Sequence, residues 1–123
     1  MITEGWVMYL DDDDLFNNPD SVTQIVNGIN NNDEDTVIYW KMIFNGGAIP
    51  NVINKDNPPK LYNIGSPCFT YNHKYLSKVK WDGWKCADFR FINNLHNKIP
   101  KFDWLDKELI LIPNPGLGNK KDI

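Results

Sequence analysis

The sequence predicts an α/β fold with a parallel strand pair, and three stretches carry that prediction. Trp6-Val7-Met8-Tyr9-Leu10 is an apolar run of strand length. Val22, Ile25, Val26 and Ile29 fall at i, i+3, i+4 and i+7, the spacing of one helix face. Thr36-Val37-Ile38-Tyr39-Trp40-Lys41-Met42-Ile43 is β-branched and aromatic and reads as a second strand. Strand, helix and strand within about 40 residues leave room for the crossover that a parallel pair requires.

The first strand, at about residues 5–10, ends in four aspartates. For the helix, Asn18 reads as the N-cap, with Pro19 at the first helical position and Asp20 in the first turn. Asn30-Asn31-Asn32-Asp33 ends it. After the second strand, Asn45-Gly46-Gly47 is a turn, and the polar stretch up to Pro58-Pro59 reads as an irregular surface loop. A short strand is expected at 67–71 and a short helix at 73–79. Asp88 can cap a further helix whose Phe89, Ile92 and Leu95 face inward. Residues 99–105 read as extended despite Pro100, and Glu108-Leu109-Ile110-Leu111-Ile112 as the last strand. Residues 113–123 are rich in Gly, Pro and Lys and read as a loose tail, which leaves 1–112 as one domain with a small core.

Composition removes several classes of function. The net charge is -3, the pI is near 5.2 and Arg90 is the single arginine, so nucleic acid is not an expected partner. No run of apolar residues is long enough to span a bilayer. The start, Met1-Ile2-Thr3-Glu4-Gly5-Trp6, lacks the basic region and apolar run of a signal peptide, so a cytoplasmic setting is expected. Cys68 and Cys86 form no C-x-x-C pair and read as buried free thiols in a reducing compartment.

The most informative motif is Asp11-Asp12-Asp13-Asp14, directly after the first strand. A strand needs only a turn to end it, so four consecutive carboxylates exceed what folding asks for. In an extended segment Asp11 and Asp13 point the same way. Solvent, a proton or a cation must relieve such crowding, and a hard divalent ion with oxygen ligands, Mn²⁺ or Mg²⁺, does so economically. The plain structural alternative is an acidic surface turn.

Together with two later segments, this motif resembles the metal-dependent glycosyltransferases of the GT-A type. Leu10-Asp11-Asp12-Asp13-Asp14 is similar to that family's Asp-x-Asp signature with one further acid. Gly65-Ser66-Pro67-Cys68-Phe69-Thr70-Tyr71-Asn72-His73-Lys74-Tyr75 resembles the strand and turn on the acceptor side. Trp81-Asp82-Gly83-Trp84-Lys85-Cys86-Ala87-Asp88-Phe89-Arg90-Phe91 resembles the segment that places an acid at a helix start near the acceptor. The likeness extends to about residue 112 and implies a partial GT-A (Rossmann-like) mixed sheet flanked by helices. It implies a nucleotide-sugar donor, with UDP as the nucleotide, whose diphosphate is bridged by Mn²⁺ or Mg²⁺. Asp13 and Asp11 would be metal ligands, with Asp12 left open by the ambiguous register. Asp88 would be the base, with Asp82 competing for that role, and Trp81, Trp84 and His73 would line the acceptor or donor side. Each has a structural alternative: helix capping for Asp88, packing for the tryptophans, and a polar contact for His73.

In such enzymes the nucleotide rests largely on elements that precede the acidic motif, and only ten residues precede Asp11 here. The expectation is therefore the metal and acceptor half of the domain, completed by a homo-oligomer or a complementing subunit. Two rivals share the motif. A haloacid-dehalogenase-type phosphatase would use Asp11 as nucleophile and Asp13 as acid/base, although Asp14 and Leu15 depart from its pattern. A catalytically inactive remnant would keep the fold for binding alone.

Overall fold

Nine residues of high strand propensity form the centre of the molecule, β3 (Thr36–Phe44). The computed structural model describes residues 5–11, 14–44, 46–61, 63–81 and 87–113. On one side β3 pairs in parallel with β6 (Lys101–Leu111), from Thr36↔Lys101 to Ile43↔Leu111. On the other it pairs antiparallel with β5 (Phe69–Asn72), through Ile38↔Thr70 and Tyr39↔Phe69. β5 in turn pairs antiparallel with β1 (Trp6–Met8), and β6 with β2 (Leu15–Phe16). The sheet order is β1-β5-β3-β6-β2, with β4 (Gly47–Ile49) folded back on β3.

The predicted strand–helix–strand unit is therefore present with a different neighbour relation. β1 and β3 run the same way, but β5 lies between them, and the adjacent parallel pair is β3 with β6. Hydrophobic patterning reports which residues are buried and says nothing of which strand is inserted beside which.

Helices cover both faces of this mixed sheet. α1 (Ser21–Asn30) brings Gly28 against Ile38 and Leu105, whereas α2 (Ala87–Lys98) brings His96 to the ring of Tyr39. Ile38 and Tyr39 are consecutive in β3 and so point to opposite faces. Trp40, Phe69, Tyr71, Phe91, Ile92 and Leu95 are fully buried between these layers.

Several local expectations need correction. α1 starts at Ser21 with Asp20 at its cap position; Asn18 instead makes a local turn, its Oδ1 accepting from the Asp20 N–H at 2.9 Å. The face of α1 turned inward is Ser21, Ile25 and Gly28, while Val22 and Val26 stay 48% and 45% exposed. Small residues let the helix backbone approach the sheet, which turns the valines to the flank. The stretch from Gly47 to Pro59, expected as turn and irregular surface loop, starts with β4 and buries Ile53. Its polar turn is closed internally, with Asn54 Oδ1 accepting from the N–H groups of Asp56 and Asn57 at 2.9 and 2.8 Å. Only a 3₁₀ turn, His73–Tyr75, forms where a longer helix was expected.

The two segments predicted at 99–105 and 108–112 are one strand, β6. The break between them is a register shift opposite Tyr39 and Lys41, where Lys41 pairs with Asp106 at 2.9 Å. The expected tail beyond Pro113 lies outside the described residues. Among the described residues no helix is long and apolar enough to cross a membrane.

Gly28 offers a direct test of the α1–sheet packing. A Cβ there would lie 3.2 Å from Leu105 Cδ1 and 3.7 Å from Ile38 Cγ2. Gly28→Val is expected to destabilise the fold by about 1–3 kcal/mol through overpacking. Urea denaturation should show a lower midpoint with an unchanged slope.

Candidate functional site

Three strands running the same way, β1, β3 and β6, end on one edge of the sheet, and the reversed strand β5 begins there. The acidic run follows β1, at one margin of the sheet, and precedes β2, at the other. Its ends are closed on each other. The Asp14 N–H donates to the Asp11 carbonyl at 3.0 Å, and the Asp11 N–H donates to Asp14 Oδ2 at 2.9 Å. Asp11 is exposed and Asp14 half-buried, while Asp12 and Asp13 lie outside the described residues.

The start of β5 is held by close packing. A 3₁₀ turn, Ser66–Cys68, leads into it, and the buried Trp40 Nε1–H donates to the Pro67 carbonyl at 2.7 Å. A Cβ at Gly65 would come 2.8 Å from Met42 Cε, so glycine lets this turn lie against β3. The Cys68 thiol is buried and directed at the Ile49 carbonyl, 3.9 Å away. Burial pushes the thiol up to about 12, and the charges of Asp14 and Asp88 push it the same way.

Asp88 arrives there on the first turn of α2, which begins at Ala87. It is half-buried, and its Oδ1 accepts from the Phe89 N–H at 2.8 Å. This is a contact with its immediate neighbour inside the helix, unlike the N-cap contact expected from sequence. The competing acid Asp82 and the second tryptophan, Trp84, lie outside the described residues, as does Cys86.

Trp81 stands beside this helix with 40% of its surface exposed. Its indole stacks on Phe91 at 4.2 Å and 8°, and meets Tyr9 edge-on at 5.3 Å. Tyr9 also contacts Phe69 and Phe91, and its hydroxyl lies 2.6 Å from the Tyr71 hydroxyl. Burial raises the Tyr71 hydroxyl well above its ordinary value, and the Tyr9 contact adds to this. This aromatic group joins the end of β1, β5 and α2. Tyr9 and Phe91 were not singled out from sequence, because each reads there as part of an apolar run, whereas Cys68 is the buried free thiol expected.

His73 is not part of this constellation. It follows the other end of β5, where its N–H donates to the Gly5 carbonyl at 2.9 Å, and its buried Nδ1 has no hydrogen-bond partner among the described residues. The length of β5 separates it from the acidic edge. Around it the opposite edge carries ion pairs. Lys74 meets Asp35 at 2.5 Å, the Tyr75 hydroxyl donates to Asp35 at 2.6 Å, and Lys101 pairs with Asp33. Lys101 and Lys74 hold the Asp33 and Asp35 carboxyls, respectively, below the usual carboxylate range. His96 packs against Tyr39 and Phe102, with its Nδ1 2.8 Å from the Tyr39 hydroxyl, and burial lowers its pKa.

Among the described residues no group of three or more His, Cys, Asp or Glu side chains is arranged to hold a metal ion. A magnesium-type site commonly uses one or two carboxylates and takes its other oxygens from water and substrate phosphates. No protein-family model matches the sequence, and no curated protein matches it.

Two measurements check these environments. Cys68 should resist alkylation in the native protein at mildly alkaline pH and react after unfolding, as followed by peptide mass mapping. For His96, a lowered folded-state pKa means that the unfolded chain binds more protons as the pH falls below about 6.5. Its contribution to stability is thus complete above that value and is lost as the pH falls toward the folded-state pKa. His96→Gln should flatten this part of the stability profile relative to the wild type.

Proposed function

We propose that this chain forms the metal and acceptor side of a glycosyltransferase that moves a sugar from a nucleotide sugar, with UDP as the nucleotide, to an acceptor hydroxyl. The supporting observation is the contact of Tyr9 with Phe69 and Phe91, which joins the residues leading into the acidic run to the other two family-like segments. In open α/β sheets, ligands are bound in the crevice outside the carboxyl ends of the strands. Asp11 and Asp14 stand outside that end of β1, and β5 enters from it.

Asp11, with Asp13 or Asp12, would hold Mn²⁺ or Mg²⁺. When bound, the ion would offset the negative charge that develops on a departing diphosphate. The Asp11–Asp14 hydrogen bonds tie these two residues to each other. Asp88 would take the proton from the acceptor hydroxyl as the new glycosidic bond forms. Its place on the first turn of a packed helix holds it toward the edge. A second copy or a complementing subunit would dock on the outer margin of β1, which has no strand partner among the described residues.

Calorimetric titration of UDP with and without Mn²⁺ tests the donor half of this reading. Binding should require Mn²⁺ and be lost in Asp11→Asn or Asp13→Asn. Asp88→Asn should retain that binding but slow transfer from a UDP-sugar by about a hundredfold or more. A folded chain that binds no UDP with Mn²⁺ would leave the inactive-remnant reading. Phosphate release from a simple phosphomonoester, without a sugar donor, would favour the phosphatase reading.

A further inference from the structure

We propose that the turn at residues 76–80, with the exposed Trp81 beyond it, docks the protein on an anionic bilayer surface. This inference does not rest on the transferase reading above.

Charge is unevenly divided along the chain. Residues 1–40 hold no lysine or arginine, whereas residues 57–81 hold four lysines and no aspartate or glutamate, in a chain of net charge -3. Large apolar side chains are exposed in both stretches. Leu15, Phe16, Val22 and Val26 belong to the first, where every charged side chain is acidic, so an anionic surface would repel that stretch. Leu76 and Trp81 belong to the second and have Lys78 and Lys80 between them in sequence. Exposed apolar side chains and positive charge therefore coincide in this second stretch.

The local fold presents these side chains to the outside. Tyr75 and Val79 are buried and pin the segment to the core. Between them the chain turns back, with the Leu76 N–H donating to the His73 carbonyl at 2.8 Å and the Lys78 N–H to the Tyr75 carbonyl at 3.0 Å. Leu76, Ser77 and Lys78 are left exposed, and Lys80 follows as a further exposed residue. The Lys78 ammonium lies over the Tyr75 ring, 5.3 Å from its centroid, which steadies its position. Lys74 is taken up by Asp35, with Glu34 at 3.8 Å, but Lys78 and Lys80 have no ion pair among the described residues.

These features favour a bilayer over other anionic partners. Lysine has a long apolar stem, so a leucine can sit below the headgroups while the ammonium groups stay at phosphate depth. Tryptophan favours the same interface. A nucleic acid offers phosphates but no apolar layer for Leu76, and residues 57–81 lack the arginine forks that suit close phosphate recognition.

Co-sedimentation with vesicles of phosphatidylcholine, alone or mixed with phosphatidylserine, tests the proposal. The protein should bind the mixed vesicles, leave them as salt is raised, and ignore phosphatidylcholine alone. Lys78→Glu combined with Lys80→Glu should weaken binding about tenfold or more. Lys55→Glu combined with Lys107→Glu, an equal change of net charge at exposed positions elsewhere, should leave binding within about twofold. Leu76→Ser keeps the charge and should weaken binding about threefold or more. Circular dichroism confirms the fold of each variant. No binding by the folded wild type, or an equal loss in the two lysine pairs, would overturn the proposal. Unchanged binding by Leu76→Ser would reduce the contact to charge alone and overturn it too, as would tighter binding of a single-stranded oligonucleotide.

Discussion

A strand paired along both edges and covered on both faces has little freedom at its centre, and Ile38 and Tyr39 of β3 are held in that way. β5 and β6 take up the backbone groups on either side, α1 covers Ile38, and α2 reaches Tyr39. The candidate site inherits its positions from this arrangement. Trp40 fixes the Ser66–Cys68 turn through Pro67, Met42 sets how closely Gly65 approaches, and the resulting path starts β5 below the acidic run. Small errors in packing around β3 would therefore reach the site through direct contacts, because close-packed interiors transmit displacement rather than absorb it.

The two ends of the sheet have different chemical characters. At one end, Asp33 and Asp35 are matched by Lys101 and Lys74, with Tyr75 adding a hydrogen bond. Exposed pairs of this kind contribute little net stability, but they do neutralise each other locally. At the other end, Asp11 follows β1 as an exposed carboxylate, and Tyr9, two residues before it, meets the partly exposed Trp81 edge-on. An uneven distribution of charge between the ends directs a polar ligand to one of them.

Elements with a strong periodic signal were legible in the sequence. β3 was recognisable from its β-branched and aromatic run, the start of β5 from Phe69-Thr70-Tyr71, and α2 from Ile92 and Leu95. Relations that depend on three-dimensional neighbours were not. No local pattern announces that β5 inserts between β1 and β3, or that Ser21 and Gly28 turn inward in place of Val22 and Val26. For the site, Asp11, Asp88 and Trp81 were named by residue type and setting; in the structure Asp11 is exposed, Asp88 is half-buried on α2, and Trp81 packs on Phe91. His73 was misplaced because a four-residue strand is long enough to carry its two ends to opposite sides of the sheet. Tyr9 was hidden because an aromatic in an apolar run looks like ordinary core.

The reversal of β5 makes four residues answer for two faces at once. Phe69 and Tyr71 join the aromatic group under α2, while Thr70 turns to the other side and donates its hydroxyl to the Val7 carbonyl at 2.8 Å. Loss or gain of one residue within this strand would exchange those faces, putting a hydroxyl among the rings and rings where the hydroxyl had been. It would also rotate the turn that follows by half a strand period, separating Lys74 from Asp35. Length variation among related chains is thus expected to gather in the 51–64 connection and to spare residues 69–72, whatever chemistry those relatives perform.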